Sequence, residues 1–135
     1  MKSLWHAFLG VSLWIGCSND IPTTMDSRST WIAGGVYSID SGDGIFKVVK
    51  ILVLEPGIVH ARIYKNKFQE RPESVDFESL SLGSVHDADG FGMGHLPLSE
   101  ATFRSWTPAF VTRADVTDDE LEGYCMWKDA DGGVF

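Results

Sequence analysis

Cysteine, proline and basic charge are all scarce in this chain of 135 residues: two Cys, five Pro, and 11 Lys plus Arg against 19 Asp plus Glu. Two cysteines without a CxxC exclude a disulfide-rich scaffold and a paired-cysteine metal site. A net charge of −8 opposes general binding to phosphate backbones, so no nucleic acid is expected as a partner. The chain carries no GxGxxG, GK[ST], HExxH or GxSxG pattern. Nucleotide loops, zinc-protease helices and serine elbows therefore have no support, and no cofactor is implied. Apolar residues make up 44%, enough for one compact core.

Residues 1–16 hold one cation, Lys2, and an apolar stretch interrupted by His6 and Gly10. That is short for a membrane span and has the form of a secretory signal. Trp14-Ile15-Gly16-Cys17 resembles the cleavage box of bacterial lipoproteins, which implies lipidation of Cys17 and membrane attachment through that residue alone. Trp14 departs from the pattern, which places an aliphatic residue there. Translation from Met25 is the competing expectation, with 1–16 part of a mis-assigned start. The first places the protein in the cell envelope, the second in the cytoplasm. If Cys17 is processed, Cys125 stands alone as a small buried hydrophobe. Residues 17–30 read as a polar linker and 31–135 as a single β-rich domain.

Val, Ile and Leu crowd Ile45–Leu54 and Ile58–Tyr64, and Glu55-Pro56-Gly57 between them predicts a hairpin. Trp31–Asp40 predicts a preceding strand, closed by the turn Ser41-Gly42-Asp43-Gly44. Lys47 and Lys50 fall on opposite faces of an ideal strand, which calls for a bulge or an exposed end. Phe77, Leu80 and Leu82 suit a fourth strand or a turn. Ser99 predicts a helix start, with Leu98 and Phe103 as its hydrophobic staple and Pro108 as its limit. Thr117-Asp118-Asp119-Glu120 is a capping-box signature, stapled by Val116 and Leu121, for a second helix. The expected fold is mainly β: a small bent antiparallel sheet or partly closed barrel with two short C-terminal helices.

Two segments could carry chemistry. His86, Asp87, Asp89 and His95 place two imidazoles and two carboxylates within ten residues, the side chains of a divalent-metal or acid–base site. The spacing matches no calcium loop, and a Gly/Asp-rich surface turn whose Asp side chains bond their own backbone is the favoured reading. Asp115, Asp118, Asp119, Glu120 and Glu122 form an acidic block that suits a basic protein partner, although the helix dipole also favours acids there. Arg62, Lys65, Lys67 and Arg71 are the basic counterpart and read as edge-protecting charges. Trp31, Trp106 and Trp127 read as core or half-buried packing.

Gly35-Val36-Tyr37-Ser38-Ile39 and Gly42-Asp43-Gly44-Ile45-Phe46-Lys47-Val48-Val49-Lys50-Ile51-Leu52 resemble the opening of an all-β family of immunity proteins from bacterial polymorphic-toxin systems. The resemblance covers roughly residues 31–65 and carries no catalytic residue. It implies a small, acidic, non-enzymatic binding protein that neutralises a toxin domain. The alternatives are an acid–base or metal-assisted enzyme using the His86–His95 segment, and an envelope lipoprotein of structural role.

Overall fold

The computed structural model describes residues 31–135. The signal or lipobox at 1–16, the linker at 17–30, Cys17 and the alternative start Met25 lie outside the described residues. Five antiparallel strands form one sheet: β1 (Gly35–Asp40), β2 (Phe46–Glu55), β3 (Ile58–Ile63), β4 (Met93–Ser99) and β5 (Ala109–Arg113). Their order is β4-β3-β2-β1-β5, so the sheet is open, with β4 and β5 as its edges. Two short helices follow in the C-terminal half, α1 (Glu100–Ser105) and α2 (Glu122–Asp129).

The central hairpin forms as its turn chemistry dictates. Gly57 takes φ 78°, a left-handed conformation that costs a residue without Cβ nothing. The expected bulge is present: Ile51 faces Ala61 and Val53 faces His60, leaving Leu52 as an extra residue in β2. Side chains alternate faces along a strand, so one inserted residue reverses the parity of everything after it. Lys50 before the bulge and Glu55 after it consequently share a face.

Both faces are covered. On one, Tyr37, Ile39, Val49, Ile51, Val59, Ala61 and Leu98 pack with Trp31 and Phe103 of α1. Trp31, Tyr37 and Phe103 meet edge to face, with ring centroids 4.9–6.0 Å apart. On the other face, Val36, Val48 and Tyr64 pack beneath the loop carrying Phe68, Val75, Leu80 and Leu82. Beside them Leu52, Val53, Leu121 and Tyr124 form a further cluster under α2.

The first helix starts on its capping signal, while the second signal opens the 3-10 turn Asp119–Leu121, from which α2 continues at Glu122. The Ser99 hydroxyl accepts from the Thr102 N–H at 3.2 Å. Thr117 and Glu120 exchange bonds: the Thr117 N–H donates to the Glu120 carboxylate at 2.9 Å, and the Glu120 N–H donates to the Thr117 hydroxyl at 3.3 Å. Each staple pair also falls within one apolar cluster, Leu98 with Phe103 and Val116 with Leu121. Phe77–Ser79 is a 3-10 turn rather than a strand. Cys125 is half-buried and disulfide-bonded, which corrects the reading of it as a lone apolar residue. Trp31 is buried, while Trp106 and Trp127 are half-buried. At the end of the chain, Phe135 pairs with the outer edge of β4: the Ser99 N–H donates to its carbonyl, and its own N–H donates to Pro97.

Candidate functional site

The polar side chains of greatest interest lie between the sheet and α2. Lys50 on β2, His60 and Arg62 on β3, and Glu55 past the bulge point to the same face, where the 3-10 turn Asp119–Leu121 and α2 cover them. Lys50 is 4% exposed, and its ammonium donates to the Asp115 carbonyl at 2.7 Å and to the Glu120 carboxylate at 2.9 Å. Arg62 adds a second cation 3.7 Å from Glu120. Burial pushes the Glu120 carboxyl upward, but the Thr117 amide, Lys50 and Arg62 outweigh it and hold the group below its ordinary value.

Next to this pair runs a second chain. His60 is fully buried, with Nε2 3.1 Å from one Glu55 oxygen and Nδ1 2.9 Å from His95 Nε2. The other Glu55 oxygen accepts from the Tyr124 hydroxyl at 2.7 Å. The imidazole planes are inclined by 14° with centroids 5.1 Å apart, so the rings lie edge to edge along the N–H···N line. Tyr124 and Trp127 of α2 stand edge-on over His60 at 4.7 and 4.5 Å. Burial tends to raise Glu55, but bonds from Tyr124 and His60 and the nearby positive charge of Lys128 bring it below its ordinary value. An ionised Glu55 can only accept, so the His60 Nε2 carries its proton. In the neutral ring Nδ1 is then an acceptor, and His95 Nε2–H must donate to it. Desolvation depresses both imidazoles against the opposing pull of Glu55 on His60, and His95 falls to about 4.

The four residues singled out between 86 and 95 divide between two networks. Lys65 holds Asp87 and Asp89, each at 3.0 Å, and depresses both carboxyls chiefly through those bonds. His86 is exposed in the same loop, its N–H donating to the Ser84 hydroxyl. His95 instead reaches His60 under α2. Among the described residues no three His, Cys, Asp or Glu side chains are grouped to hold a metal ion. The acidic block also divides. Glu120 turns inward to Lys50, whereas Asp118, Asp119 and Glu122 are exposed and Asp115 pairs with Arg113 at 2.9 Å.

Glu55, His60 and Tyr124 were not singled out by sequence, since the nearest signal was faint. His60 falls on the strand face opposite Val59 and Ala61; the hairpin register, Glu55 opposite Ile58 and Val53 opposite His60, sets Glu55 on that face, and the bulge adds Lys50 to it. No protein-family model matches this sequence, and comparison with curated proteins and with solved structures likewise gives no match.

Proposed function

We propose that this domain is a small acidic, non-enzymatic binding module that neutralises a basic protein partner, as the immunity proteins it resembles over residues 31–65 do. Its docking surface is the segment after β5, through Asp115, Asp118, Asp119 and Glu122. The observation that carries this reading is the inward tie of Glu120. Its capping-box bonds and its ion pair with Lys50 tie the turn to the sheet, with Asp118 and Asp119 at that turn and Glu122 at the start of α2 facing solvent. Exposed acids held in one geometry steer a basic partner more effectively than the same charges on a loose tail.

The test is direct. A partner is recovered from the source cell by affinity capture, and its Kd is measured for the wild type and for a D118K/D119K/E122K variant. The variant is expected to bind roughly tenfold more weakly or worse, with an unchanged circular dichroism spectrum, and wild-type affinity should fall with added salt. Equal affinities would remove this surface from the proposal. The envelope-lipoprotein alternative rests on Cys17, and the intact mass of the native protein decides it.

A further inference from the structure

The Glu55–His60–His95 chain has a proton capacity that its geometry fixes. With neutral imidazoles, His95 donates to His60 and His60 donates to Glu55. One added proton is tolerated: His60 then donates from both nitrogens, and His95 moves its own proton to Nδ1 so that Nε2 can accept. The negative charge of Glu55 compensates that cation. A second proton is not tolerated. Both facing nitrogens would carry hydrogen at a separation of 2.9 Å, with no acceptor between them.

Among the described residues, no neighbouring group relieves this conflict. From β2, Lys50 is cationic and committed to Glu120; from β3, Arg62 is cationic and also near Glu120. From α2, Lys128 lies 5.9 Å from the Tyr124 ring and adds positive charge near Glu55. Glu55 is the one carboxylate bonded to the imidazoles, and Tyr124 already donates to it.

We propose that this chain is an acid-sensitive latch: when both imidazoles are protonated, α2 lets go of the sheet and melts while the strands stay paired. Two features make α2 the part that yields. It has eight residues, too few to remain helical without tertiary support, and Tyr124 is the buried residue it contributes. That tyrosine stands on the latch itself. The strands are tied instead by their backbone ladders and buried on both faces. Desolvation of both rings acts in the same sense, since it disfavours their charged forms until the segment opens.

Amide hydrogen exchange on the full chain, followed from pH 7 to pH 4 and corrected for the intrinsic rate, tests this. In the wild type, the opening constant of the α2 amides should rise with a slope of about one to two protons below pH 6.5, since the closed chain holds at most one of the two. Amides of β1 and β2 should stay protected over the same range. His95→Gln keeps an N–H donor for His60 but cannot titrate, and should reduce the slope by about one proton. Equal slopes in the two proteins would overturn the latch. So would loss of α2 and strand protection together at one pH, which is global unfolding. Should His95→Gln fail to fold, Glu55→Gln provides the second test. Without the carboxylate, α2 should open at higher pH, and an unchanged midpoint would again overturn the proposal.

Discussion

Lys50 and Glu120 meet at 2.9 Å with 5% and 13% of their side chains exposed, joining the middle strand of the sheet to the turn that starts α2. Two charges withdrawn from water gain stability mainly by having each other, so removing one leaves the other with a desolvation cost and no partner. Glu120→Ala is therefore expected to destabilise the domain by about 3 kcal/mol. The double change Lys50→Met with Glu120→Leu should recover most of that loss, because no charge is then stranded. Urea denaturation of the two variants checks it, and a loss below about 0.5 kcal/mol in Glu120→Ala would mean the pair is solvated in practice.

Gly123 sets two opposing effects against each other. Alanine within a helix is favoured over glycine by about 1 kcal/mol. A Cβ at Gly123, however, would lie 2.5 Å from the Cβ of His95. Overpacking of that kind costs about 1–3 kcal/mol, and here the atom that must yield belongs to a ring bonded to His60. Gly123→Ala should lower Tm, although helix propensity alone would raise it. A higher Tm would show that α2 can shift away from β4 without loss.

The acid limb of the stability curve follows from the same imidazoles. His60 and His95 are both held below 6.5, His95 at about 4, so the unfolded chain binds protons in this window that the folded one refuses. Their contribution is complete above pH 6.5 and is lost as pH falls toward 4. Glu55 and Glu120 are also depressed, which extends the loss below their ordinary range. After allowance for solvent screening, the unfolding free energy at pH 5 should lie on the order of 1 kcal/mol below that at pH 7. Urea midpoints at the two pH values measure it, and a midpoint that rises on acidification would reverse the argument.

How much of this was legible in the sequence depended on whether the signal was local. The β2–β3 hairpin, the Ser99 cap and the Thr117–Glu120 box each need only a few adjacent residues, and each formed where expected. The clash of parity between Lys47 and Lys50 also announced a bulge. β4 was not legible: its first residues fall in the Gly/Asp-rich segment 86–95, and pairing of Leu96 and Leu98 with Ala61 and Val59 makes the strand. β5 was hidden behind Pro108, five residues long and held by β1 alone. The same limit hid the polar chain. Glu55 looked like a turn residue and His60 like the outer face of a strand, because the tyrosine that covers them sits in a helix more than sixty residues away.

The pairing of Phe135 with Pro97 and Ser99 makes the two sides of the sheet unequal. A sheet whose two borders are both free can add neighbours without limit, which is the geometry of a fibril. Here one border is already occupied where Phe135 lies, and the other is the short strand β5. A strand arriving at the β4 border would find the Pro97 carbonyl and the Ser99 N–H already bonded to Phe135, so that stretch of the border is closed to it.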